Sequence, residues 1–212
     1  MNAMAGRVVV TVLLAGLLLT GCAKVRYPTS YVLTFPPAVP QMTSPQAPFG
    51  SVAVRRFHCP DYVCQGRIVY RPNPEEVGFY EYHRWATDPR ELITTYVTDR
   101  LRSENLYKQV AADERGINAG YILAGSIDRL EEVDDPGHIR VVCALSAQLI
   151  EAQTGAVMWS GAASETVPVE QRNVAGVVRS MSSAVQATVD ELMKSIRQQV
   201  GVARASSDRT KQ

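Results

Sequence analysis

The sequence predicts an α+β domain: a mostly antiparallel sheet packed by two helices on one face, with a long C-terminal helix. Three observations carry this. Short runs of branched and aromatic residues alternate with polar ones in both halves of the chain, the period of half-buried strands. An Asp88-Pro89 pair opens a helical pattern between those halves. From Val174 to Val200, nine apolar residues fall on one helical stripe.

Taken in order, Tyr31–Phe35 is a short β-prone run. Pro36 to Pro48 contains five prolines, so this stretch is neither a regular helix nor an inner strand and reads as an extended surface connection. Ser51–Phe57 and Arg67–Arg71 are strands, and Val77–Arg84 returns as a hairpin partner after the turn Pro72-Asn73-Pro74. In the first helix Asp88 caps, Pro89 takes the first helical position and Glu91 completes a capping box, with the end near Ser103. Leu92, Ile93, Tyr96, Val97 and Leu101 form its apolar face. Leu106–Val110 is a weaker strand. Ala119–Leu130 and Ile139–Ala152 are long strands separated by an acidic turn, Glu131–Gly137, whose carboxylates read as solvated. Gln153-Thr154-Gly155 is a hairpin turn, and Ala156–Val167 is the returning strand. Gly201 ends the last helix and leaves residues 201–212 as a flexible polar tail. The order read is β-β-β-α-β-β-β-α.

Composition bounds the function. Hydrophobic residues make up 46% of the chain, enough for a packed core and against wholesale disorder. The formal net charge is +1, which argues against a nucleic-acid-binding face. No G-x-S-x-G elbow, H-E-x-x-H pair, phosphate loop or Rossmann glycine pattern occurs, so no catalytic constellation is visible. The three histidines, His58, His83 and His138, lie on different elements.

The N-terminus says where the chain belongs. Arg7 precedes an apolar run, Val8 to Leu19, of 12 residues, short of the roughly 20 that cross a bilayer. Thr20-Gly21-Cys22 follows, with a cysteine where an ordinary signal peptide has a small residue. This resembles the bacterial lipobox. The resemblance implies that residues 1–21 are a lipoprotein signal peptide. Cys22 would then carry S-diacylglycerol and N-acyl lipid, each buried methylene adding about 0.8 kcal/mol of membrane affinity. Residues 22–30 form a lipidated tether, and residues 31–200 form a single domain. Ala23, not Asp, follows the cysteine, which by the same resemblance directs the protein to the periplasmic face of the outer membrane.

Three cysteines remain. Cys59 and Cys64 bracket Pro60-Asp61-Tyr62-Val63, and in an oxidising envelope a disulfide between them competes with two free thiols. A metal site using His58, Cys59, Cys64 and His83 matches no zinc spacing. Cys143, inside an apolar run, reads as a small buried hydrophobe.

Several segments together resemble one family. They are Tyr31-Val32-Leu33, Val52-Ala53-Val54, the Pro60-Asp61-Tyr62 loop, Ile68-Val69-Tyr70-Arg71, Arg84-Trp85-Ala86 before Pro89-Arg90-Glu91-Leu92, Tyr121-Ile122-Leu123-Ala124-Gly125, and the final helix. Their order and spacing resemble the ABC-type transport auxiliary lipoprotein family, which includes the Pqi- and Ymb-type envelope lipoproteins. The Cys59/Cys64 pair stands apart from the segments that carry the resemblance. The resemblance implies a non-catalytic lipoprotein with no cofactor beyond its own lipid. Its partners would be an ABC transporter and an MCE-domain protein that bridges the two membranes for lipid traffic, with self-association into a homo-oligomer left open. Assembly or plugging of an outer-membrane β-barrel, and carriage of a lipid, stand as alternatives. Arg71, Arg84 and Trp85 are the candidate partner-binding residues, because Arg, Tyr and Trp are favoured interface anchors. For Trp85 a core role is the favoured reading on sequence alone, while ion pairing with nearby acids stands level with an interface role for Arg71 and Arg84.

Overall fold

A computed structural model of the chain describes residues 26–39, 49–113, 118–135 and 137–209, with side chains as far as Gln199. The signal segment and Cys22 lie outside the described residues. The elements are β1 (Thr29–Tyr31), β2 (Phe49–Val54), β3 (Arg67–Asn73), β4 (Glu76–Trp85), α1 (Pro89–Ser103), β5 (Tyr107–Ala111), β6 (Tyr121–Asp135), β7 (His138–Glu151), β8 (Val157–Pro168) and α2 (Val174–Arg209). Four strands therefore precede each helix, where the sequence reading wrote three.

The α+β class stands, but the sheet is mixed rather than mostly antiparallel. β3–β4, β6–β7 and β7–β8 are antiparallel. β1–β4, β2–β5, β2–β6 and β3–β6 are parallel. Alternation in a sequence reports which face is buried and carries no information on strand direction.

The sheet forks on β6. One edge of that strand pairs with β7 along its whole length, from Tyr121↔Glu151 to Asp135↔His138. Its other edge is shared. β2 takes the start, at Val52↔Tyr121 to Val54↔Leu123. β3 takes the end, at Tyr70↔Glu132 and Arg71↔Val133. Between them His58 makes a lone bridge to Ser126, with 2.8 Å bonds to Gly125 O and from Ile127 N. β5 extends the first branch, and β4 and β1 extend the second.

A bulge after Ile127 leaves Asp128 outside the β6–β7 register and reverses the facing of the residues beyond it. Before the bulge, Leu123, Gly125 and Ile127 turn to the helices. After it, Leu130 and Glu132 do so, and Glu131 turns to the opposite face. Gly125 is required where it is: a Cβ there would sit 2.4 Å from the ring of buried Phe57. Gly155 turns the β7–β8 hairpin at φ +74°, a left-handed conformation that favours glycine.

α1 starts as the sequence implies. Asp88 accepts from Arg90 N at 2.9 Å, and Pro89 occupies the first turn. α2 buries Met181, Val185, Val189, Leu192 and Ile196 in the core that both helices share with the sheet. Each such side chain contributes about 1.5–3 kcal/mol relative to exposure. The helices are clamped to one another by Arg100–Asp190 at 2.7 Å and by Arg197 on the buried carboxylate of Glu104. Trp159 Nε1 donates to Ser195 Oγ at 3.1 Å, tying β8 to the same helix.

Several boundaries differ from the sequence reading. α2 continues through Gly201 to Arg209, because a glycine costs a helix about 1 kcal/mol and does not stop it without a left-handed cap. The first strand is Thr29–Tyr31 rather than Tyr31–Phe35, and Phe35 instead stacks on Tyr96 of α1 at 4.2 Å. Residues 22–30 are thus not all tether: Thr29 and Ser30 already belong to the sheet. Among the described residues no helix is long and apolar enough to cross a membrane.

Candidate functional site

On the second branch the buried carboxylates Glu131 and Glu132 are partnered internally. Glu131, with a side chain 0% exposed, receives Arg71 through both oxygens, Nε to Oε1 at 3.0 Å and Nη2 to Oε2 at 3.1 Å. Arg129 donates to Oε1 from the same strand at 2.7 Å. On the opposite face, Tyr80 donates to Glu132 Oε2 at 2.7 Å. Burial pushes the Glu132 carboxyl above its ordinary range and outweighs the Tyr80 bond, which acts the other way. Burial likewise raises the Tyr80 phenol. The sequence reading placed Glu131 and Glu132 in a solvated turn; both are strand residues in the interior. The signal was in the length of β7, since a strand of 14 residues needs a partner equally long and leaves room only for a tight turn.

Cys59 and Cys64 are joined by a disulfide with Cα atoms 6.4 Å apart, and the loop between them sits at the fork of the sheet. Val63 and Cys59 are buried there, and the Tyr62 hydroxyl supports the Arg71 guanidinium. His83 lies between the rings of Tyr31 and Tyr80, 5.5 and 5.7 Å away, with Nδ1 buried and without a partner. Among the described residues no group of three or more His, Cys, Asp or Glu is placed to hold a metal ion. Cys143 is buried beneath α2, and burial pushes its thiol up to about 12.

The three candidate partner residues part company. Trp85 is 8% exposed and belongs to the core. Arg71 is paired with Glu131. Arg84 is exposed.

Two outward surfaces stand out among the described residues. The first is a trough of about 570 Å³ on the side of β6, β7 and β8 away from the helices. Ala124, Ser126, Ser146, Gln148, Ser160 and Ala162 line it in cross-strand register. Small uncharged side chains on three neighbouring strands make a smooth surface that an extended or convex partner can approach closely. β8, beside the trough, pairs with β7 and with no other strand among the described residues, while α2 donates from Gln199 and Ser180 to its Met158 and Pro168 carbonyls. The second surface is the β1–β4 edge, where Arg84 stands opposite Arg67 and the Arg26 guanidinium lies 4.8 Å from the centre of the Tyr82 ring. Sequence reasoning singled out neither the trough nor Arg67; small residues carry no motif, and Arg67 acquires its neighbour only through strand register.

These features define a scaffold with interaction surfaces, in which the buried carboxylates Glu104, Glu131 and Glu132 are held by ion pairs and hydrogen bonds of the fold. The chain belongs to the ABC-type transport auxiliary lipoprotein component family, whose family model matches residues 31–193. Two solved structures share the fold. A Xanthomonas campestris protein superposes with a TM-score of 0.71 at 20% sequence identity, covering 84% of this chain and 99% of its own. A second, described only as an uncharacterized protein, has a TM-score of 0.59 at 13% identity, covering 71% of this chain and 99% of its own. No curated protein matches the chain.

Proposed function

We propose that this protein is a lipid-anchored, non-catalytic auxiliary component of an ABC/MCE-type intermembrane lipid transport system, and that it docks the periplasm-spanning MCE component at the outer membrane. Membership of the transport auxiliary family over residues 31–193 is the observation that carries the reading. The surfaces agree with it. An open trough across three strands suits a macromolecular partner. A carrier would enclose its lipid in a pocket, whereas this trough lies open to solvent along the sheet. In this account Cys22 holds the domain at the membrane, the disulfide loop pins the fork, and the β6–β8 surface meets the partner.

A photo-crosslinking residue placed at Ser146 or Ala162 tests the assignment in intact cells. Adducts with an MCE-domain protein from both positions are expected. Adducts only with a β-barrel, or none from either position while a probe on another face captures the MCE protein, would overturn it.

A further inference from the structure

We propose that the β1–β4 edge is the face this domain lays against phospholipid headgroups, with Arg26, Arg67 and Arg84 turned to lipid phosphate. The proposal rests on the lipid-anchor reading of Cys22 and adds to it an orientation.

Chain length is the first argument. Four residue steps separate Cys22 from Arg26 and span at most about 14 Å when fully extended. Arg26 is already held to the fold by Tyr82, and Thr29, Ser30 and Tyr31 pair in register with His83, Arg84 and Trp85. An acylated cysteine therefore keeps Arg26 within about 14 Å of the lipid anchor, and Ser30, in register with Arg84, within about 28 Å. The domain can pivot about that point but cannot turn the edge far into the periplasm.

Charge is the second argument. Arg67 and Arg84 are direct cross-strand partners and both are exposed. Like charges in that relation destabilise a strand pair. Among the described residues neither arginine has an ion-pair partner, whereas Arg71, Arg90, Arg100, Arg140 and Arg197 each have one. An anionic surface would relieve the repulsion, and the planar guanidinium fork matches phosphate oxygens. Tyr27, 80% exposed beside Arg26, adds an aromatic side chain with a polar tip, the kind that favours the headgroup layer.

The opposite end of the molecule provides the control. Arg67 lies three residues before Tyr70, which pairs with Glu132 of β6, while exposed Val157 of β8 joins through Ile150 to Ile122, about seven residues back along β6 from the arginine level. That is about 23 Å along the strand, and β8 lies three strands to the side of β3.

The test uses the mature, acylated protein in phosphatidylethanolamine/phosphatidylglycerol vesicles doped with a nickel-chelating lipid. A nitroxide is attached at Ser30→Cys, next to Arg84 in register, or at Val157→Cys. Relaxation enhancement by headgroup nickel is expected to be at least three-fold larger at position 30. Adding R67E and R84E should bring it down towards the position-157 value while the protein still floats with the vesicles. Equal enhancement at both positions with flotation intact, or a signal at position 30 indifferent to R67E/R84E, would overturn the orientation and leave the anchor standing. Failure of the protein to float would overturn the anchor reading and the orientation with it.

Discussion

Replacing Arg71 by methionine strips a fully buried carboxylate of its bidentate partner. Glu131 is 0% exposed, and Arg71, 17% exposed, spans both its oxygens at 3.0 and 3.1 Å. Orphaning one member of a buried pair costs about 3–5 kcal/mol. Arg129 remains on Oε1 and is 42% exposed, so the loss falls at the low end, about 3 kcal/mol. For a chain of this size that lowers the melting temperature by about 6–12 °C. Removing both charges with R71M/E131L should restore stability to within about 1 kcal/mol of the parent, since an apolar replacement of both partners needs no compensation for a stranded charge. Urea unfolding followed by far-ultraviolet circular dichroism measures all three proteins. A single variant within about 0.5 kcal/mol of the parent, the ordinary effect of a surface substitution, would refute the reasoning and return Arg71 to the pool of partner anchors.

Three further outcomes are expected from the packing and the protonation states. Gly125→Ala drives a Cβ to 2.4 Å from the Phe57 ring and should cost about 1–3 kcal/mol in the same urea assay; an unchanged midpoint would show that Phe57 has room to move. Asp88→Ala removes the α1 cap and should cost about 1 kcal/mol at neutral pH. Burial alone would raise the Asp88 carboxyl, but bonds from the Arg90 side chain and backbone, with the charge of Arg56, hold it below its ordinary value. Its ionised form therefore adds stability above the ordinary carboxylate range, and that share is lost as pH falls through the lowered value. The gap between D88A and the parent should narrow in acid, and a gap that widens there would contradict the sign. Glu132→Gln tests the opposite case. Burial raises this carboxyl, so ionising it costs the fold stability as pH climbs from the ordinary Glu range through the raised value. The variant should be the more stable protein at neutral pH and lose that advantage on acidification; equal midpoints across the range would remove the argument.

Local physics explains what could be read from sequence. Asp88-Pro89 carries its own cap chemistry, the stripe from Val174 onward its own period, and Gln153-Thr154-Gly155 its own turn, and each of these elements is where its residues put it. What could not be read depends on distant partners. The parallel pairings of β2 and β3 with β6 are set by which strands share an edge, and alternation is silent on that. Arg71 and Glu131 are sixty residues apart, so an arginine that reads as an interface anchor is a structural ion pair once the strands meet. Trp85 sits in the densest aromatic stretch of the chain and is core, because that strand's end is roofed by the packed elements around it. The bulge after Ile127 is invisible to a strict two-residue period, yet it decides which of two adjacent glutamates meets arginine and which meets tyrosine.

In the proposed role this lipoprotein serves a transporter through a periplasm-spanning partner. Affinity recovery of the native, acylated protein from crosslinked envelopes, read by mass spectrometry, tests it most directly. An MCE-domain protein together with its ABC transporter subunits is the predicted yield. Recovery of a β-barrel without them, or of the lipoprotein alone with a stoichiometric bound lipid, would contradict the claim.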